Sequence, residues 1–93
     1  MIVGLLTIEL RVASSTSLKD KRRVLQSLLT RARRRYNISV AEVGMQDHHK
    51  MAVLAATCVG SAAAVVHRTL EETARFFASD TEAEILSQTV ELL

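Results

Sequence analysis

The chain has no proline and no tryptophan, three glycines, one cysteine and three aromatic residues among its 93. These shortages narrow the possibilities. Without proline and with so little glycine, the chain suits regular elements joined by short connections. No glycine-rich phosphate loop, nucleophile elbow or paired-cysteine motif occurs, so nothing in the sequence supports catalysis or a cofactor. The lone Cys58 excludes an internal disulfide and cannot build a thiol metal cluster alone. It lies in an apolar run and reads as a buried, inert thiol in a reduced setting. No apolar stretch approaches the ~20 residues needed to span a bilayer. The amino-terminal Met1-Ile-Val-Gly-Leu-Leu lacks a basic leader, and Glu9 and Arg11 interrupt it too early for a secretory core. A cytoplasmic protein with no membrane association is expected, folded as one domain over residues 1–93.

What the chain does have is positive charge in one place. Eight of its twelve basic residues fall between Lys19 and Arg35, beside a single acid, Asp20. Residues 1–35 carry nine bases against two acids, and residues 36–93 carry three against eight. The net charge of +2 therefore conceals a molecule with a positive and a negative side.

Periodicity supplies the elements. Ile2, Leu6, Ile8, Leu10 and Val12 alternate with Val3, Leu5, Thr7, Glu9 and Arg11, the period of a strand. Ser17 followed by Asp20 resembles a capping box with aspartate in place of glutamate. The helix it opens carries Leu18, Val24, Leu25, Leu28, Leu29, Ala32 and Tyr36 on one stripe and stops at Asn37. Residues 38–45 alternate again, with Glu42 as the polar interruption, expected to pair with Arg11 or Lys50 on a neighbouring strand. Residues 46–49 form a polar turn, and residues 50–59 a nearly continuous apolar strand. After Gly60-Ser61, positions Ala62, Val65, Val66, Thr69, Leu70, Thr73, Phe76 and Phe77 have helical spacing. Residues 84–92 read as a last strand.

Two strand–helix–strand units in this order, with right-handed crossovers, interleave into a four-stranded antiparallel sheet with both helices on one face. The expected class is α+β, ferredoxin-like βαββαβ. The third strand is apolar at both parities, and only one set can face the helices. The open face should expose Val3, Leu5, Met51, Val53 and Ala55, more apolar area than a solitary monomer carries. A homo-oligomer packed through this face is the expectation.

The segments Ser17-Leu-Lys-Asp-Lys-Arg-Arg-Val-Leu25, Tyr36-Asn-Ile-Ser-Val-Ala-Glu-Val-Gly44 and Gln46-Asp47 resemble the YlxP-like small bacterial proteins of unknown function. The likeness covers essentially the whole chain. It implies a ferredoxin-like fold and transfers no catalytic residue. Members are often encoded beside translation initiation and ribosome-maturation factors, which implies a ribosome-related role. The chain departs from that pattern at His48-His49, where a bulky or aromatic residue is frequent.

The candidate binding residues are Lys19, Lys21, Arg22, Arg23, Arg31, Arg33, Arg34 and Arg35. A helix so charged can clamp a phosphate backbone, and arginine's fork suits phosphate oxygens. The partner is then structured RNA or the ribosome. The other reading is a protein-interaction module that docks an acidic partner. Basic residues in a last helical turn also complement the helix dipole, which accounts for Arg33 to Arg35 without any ligand. The two central strands contain no aromatic residue, so base stacking on the sheet is excluded as the main mode. Asp47, His48 and His49 could ligate a metal, but adjacent side chains point apart and no second pair sits at ligand spacing. A polar hairpin turn is the simpler reading, with no metal.

Overall fold

The computed structural model describes residues 1–93. The order is β1 (Ile2–Arg11), α1 (Leu18–Arg35), β2 (Ser39–Gly44), β3 (Met51–Gly60), α2 (Ala63–Ala78) and β4 (Glu84–Leu92). The strands form one antiparallel sheet in the order β2-β3-β1-β4. This is the ferredoxin-like α+β arrangement that the periodicities predict.

The alternation decides which face the helices cover. Leu6, Ile8 and Leu10 of β1 and Ala52, Leu54, Ala56 and Cys58 of β3 are buried. They meet Val24, Leu25, Leu28 and Ala32 of α1 and Val66, Leu70, Ala74 and Phe77 of α2 in one core. The odd-numbered positions of both strands lie on the open face. β1 and β3 pair without interruption from Ile2↔Gly60 to Arg11↔Met51. Gly4 marks the closest approach of α2 to the sheet: a Cβ there would stand 2.7 Å from both Leu70 Cδ1 and Val66 Cγ1.

Both edge strands are irregular. β2 slips register between Glu42 and Gly44, leaving Val43 as an extra residue that is 53% exposed. β4 slips opposite Glu9/Leu10. Bulges of this kind re-aim side chains locally. The one in β2 is followed by Met45 at φ 59°, a left-handed conformation that a residue with a Cβ adopts only at a cost.

Ser17 caps α1: its Oγ accepts from Asp20 N–H at 3.1 Å. The return half of the box is displaced by one residue. Asp20 Oδ2 accepts from the Thr16 hydroxyl at 2.9 Å and the Thr16 N–H at 3.2 Å. The Thr16 hydroxyl bond, then the Thr16 N–H, hold the Asp20 carboxyl below its ordinary range, with Arg23 and Lys19 adding to the effect.

Candidate functional site

α1 carries the eight candidate cations, and the helix repeat sorts them. Lys19, Arg23, Ser27, Arg31 and Arg35 follow one another at four-residue steps and form a ridge along one flank. Arg22 and Arg34 lie on the parallel ridge, four-residue steps apart, with Gln26 and Thr30 between them. Lys21 is different. The charge pattern counts it among the residues available to a polyanion, but it is wholly buried. Its position three residues after Leu18 and four before Leu25 puts it within the stripe.

Lys21 Nζ donates to Met45 O at 2.9 Å and Met51 O at 3.0 Å, with a longer approach to Gln46 O at 3.5 Å. It also stands 3.0 Å from Glu42 Oε2. That last contact is an ion pair without hydrogen-bond alignment: Oε2 has no hydrogen-bond partner, while Nζ donates to the carbonyls. Glu42 is thus paired from beneath by the helix, and not by Arg11 or Lys50 as the alternation suggested. The register explains why: Glu42 lies opposite Leu54, on the helix-covered side of the sheet. Lys50 instead donates to Ala13 O and Ser15 O, each at 2.7 Å, and ties down the connection before α1. Lys21 therefore leaves the set of binding residues. It pins the β2–β3 turn through the carbonyl of its strained residue, Met45. The first and second of the resemblance-bearing segments, with Gln46, meet at this buried pair.

Three of the remaining cations have partners on the protein. Arg31 pairs with Asp80 at 2.9 Å, and its Nε lies 3.3 Å from Ser27 O and Oγ. Arg33 donates to Val40 O at 2.8 Å. Arg35 Cζ sits 5.5 Å from the centroid of Tyr36 and 5.7 Å from that of Phe76, a ring that Arg31 also approaches at 5.7 Å. All three remain exposed. Lys19, Arg22, Arg23 and Arg34 are exposed and make neither an ion pair nor a side-chain hydrogen bond.

Two clefts run along the Lys19–Arg35 ridge. The smaller, about 230 Å³, has Arg23, Ser27 and Arg31 on one wall and Asp80, Thr81 and Glu82 on the other. The larger, about 590 Å³, lies where the carboxyl-terminal ends of the two helices converge, lined by Arg35, Tyr36, Glu72, Arg75, Phe76 and Ser79. Phe76 fits the apolar spacing of α2, yet it is only partly buried and packs edge-on to Tyr36 at 5.8 Å. Periodicity assigns it to the core and gives no sign of this cleft.

At the β2–β3 turn, His48 Nδ1 accepts from Met51 N–H at 2.9 Å and Lys50 N–H at 3.1 Å. Its ring stacks on His49, centroids 5.3 Å apart. That nitrogen is occupied in holding the turn. On the open sheet face, Val3, Leu5, Met51, Val53 and Ala55 are each half-buried, and Val59 at the end of β3 is 52% exposed. No helix is long and apolar enough to cross a membrane.

The family profile described as "Protein of unknown function (DUF503)" matches residues 3–90. The chain belongs to that family. It is 30% identical over 83 residues to the uncharacterized protein YlxP of Bacillus subtilis (strain 168), covering 89% of this chain and 90% of that one.

Proposed function

We propose that the outer surface of α1 binds the phosphate backbone of structured RNA, in the cytoplasm and without catalysis. The observation that carries this reading is the unpaired state of Lys19, Arg22, Arg23 and Arg34, all exposed on a single helix. Exposed cations that are not tied up in an ion pair keep most of their attraction for a polyanion, and each phosphate contact releases counterions. Arg31, Arg33 and Arg35 border this surface. Their own contacts hold them in place, which reduces the freedom they would lose on meeting phosphate.

The test is the affinity of a labelled RNA hairpin between about 50 and 200 mM salt, where about four phosphate contacts give a log–log slope of about −3. Reversal of Arg22, Arg23 and Arg34 to glutamate removes the binding while leaving the fold intact, since these exposed side chains make no ion pair or hydrogen bond within the protein. Negligible affinity at the lower salt, or a slope near zero, contradicts the proposal. The first of these results leaves an acidic protein as the occupant of the same surface.

The sheet supports a second reading that concerns a different surface. Val3, Leu5, Met51, Val53, Ala55 and Val59 make an apolar strip along β1 and β3 with no helix over it, flanked at one end by Glu9 opposite Val53 and Arg11 opposite Met51. We infer that a second copy of the chain covers it, leaving both copies of α1 outward.

A further inference from the structure

The larger cleft combines features that the rest of the basic surface lacks. It holds two partly exposed aromatic rings, Tyr36 and Phe76, set edge-to-face at 5.8 Å. Arg35 and Arg75 stand at its rim and Glu72 is its single acid. Its volume of about 590 Å³ falls within the ~300–1,000 Å³ of ordinary ligand clefts. It also opens at one end of the Lys19–Arg35 ridge, so a strand whose phosphates follow that ridge arrives at the aromatic pair.

We propose that this cleft receives one unpaired base of an RNA strand, stacked on the face of one of the two rings, Tyr36 or Phe76, and meeting the other at its edge. The proposal rests on the reading of α1 as a phosphate-binding surface and adds a base-recognition site to it. In the free protein the rings are covered by Arg35, whose guanidinium carbon is 5.5 Å from Tyr36 and 5.7 Å from Phe76. An exposed cation–π contact at that range is weaker than a base stacked on an aromatic ring. The base displaces the guanidinium, which turns to the adjacent phosphate, where its fork is better matched. Arg75, exposed at the rim on α2, offers a second guanidinium to the phosphate. Glu72 repels phosphate from the floor of the cleft and accepts an N–H from the base edge. Base stacking absent from the sheet is thereby supplied by the helical layer, through residues contributed by two different helices.

The protein carries its own probe for this site. Tyr36 is its only tyrosine and there is no tryptophan, so tyrosine emission reports on this cleft alone. The experiment follows the Tyr36 emission lifetime and the anisotropy of the labelled strand during titration with a single-stranded oligoribonucleotide. Inorganic polyphosphate and a blunt RNA duplex serve as comparisons. The expected result is binding of all three polyanions, with the lifetime shortened by the single strand only. Tyr36→Leu and Phe76→Leu, which keep apolar volume, lower affinity for the single strand about tenfold and leave that for polyphosphate unchanged. If the single strand binds with an unaltered lifetime, if the duplex shortens it equally, or if both variants bind the single strand as the parent does, the base site is overturned and the phosphate-binding surface stands. If no RNA binds at all, both are overturned.

Discussion

At the scale of single residues, Lys21 shows how position in a repeat can outweigh chemical type. A lysine among arginines reads as surface charge, yet its helical phase puts it beneath the sheet edge, fully buried. The stem fills core space while the ammonium group satisfies the carbonyls of Met45 and Met51 and balances Glu42. Removing one member of such a pair strands the other charge. Lys21→Met is expected to lower unfolding free energy by about 3–5 kcal/mol, read from the urea midpoint. Adding Glu42→Leu recovers only part of this, because the bonds from Lys21 to Met45 O and Met51 O stay broken, and Met45 O keeps only the His48 N–H. Full recovery, or a loss under about 1 kcal/mol for the single change, contradicts the pinning role.

Asp20 gives a pH dependence whose sign is fixed by its direction of shift. Its carboxyl is held below the ordinary aspartate range, mainly by the Thr16 hydroxyl and then the Thr16 N–H. A carboxylate with a depressed folded pKa contributes stability above its unfolded pKa and loses that contribution as pH falls through the folded one. Below pH 4 the urea midpoint of the parent therefore falls more steeply than that of Asp20→Asn. Parallel curves would show that the Thr16 bonds do not bias the carboxylate.

At the scale of elements, the two helices and the central strands were legible because each buries one face and its period is local. Leu18 through Ala32 and Val66 through Phe77 carry that information within a few residues of one another. The bulge at Val43 and the left-handed Met45 were not legible. They depend on the turn being fastened by a lysine on another element, a non-local contact that alternation cannot encode. The lone Glu42 in an apolar strand is the available signal, but its partner depends on which face it takes, and only the register opposite Leu54 sets that. The same limit hid the cleft at Tyr36 and Phe76, which exists only where the ends of two helices meet.

The packing of α2 on β1 gives a prediction at this scale. A methyl group at Gly4 would lie 2.7 Å from Val66 Cγ1, a stiff β-branched group, as well as from the flexible end of Leu70. Gly4→Ala is expected to cost about 1–3 kcal/mol by overpacking, with a lowered thermal midpoint. An unchanged midpoint means that α2 can lift off the strand without loss, and that the close approach carries no packing energy.

At the scale of the whole molecule, the fold separates two kinds of surface. The helical layer bears the cations, and the bare sheet face bears Val3, Leu5, Met51, Val53, Ala55 and Val59. An oligomer formed through the second surface multiplies the first, and linked binding faces raise avidity for a long polyanion. Val53→Lys, a charge at the middle of the bare face, is expected to shift the protein to monomer in sedimentation without changing its circular dichroism. A parent protein that already sediments as a monomer contradicts the sheet-packed assembly and leaves α1 as it is.

The proposed RNA surface is the helical layer and not the open sheet. Backbone amide shifts of the isotopically labelled protein, followed during titration with a single-stranded oligoribonucleotide, test this directly. The prediction is a contiguous set of perturbed amides along Lys19–Arg35, extending to Tyr36 and Phe76, with the open face of β1 and β3 unmoved. Perturbations concentrated on Val3, Leu5, Val53 and Ala55, or none at any residue, would contradict it.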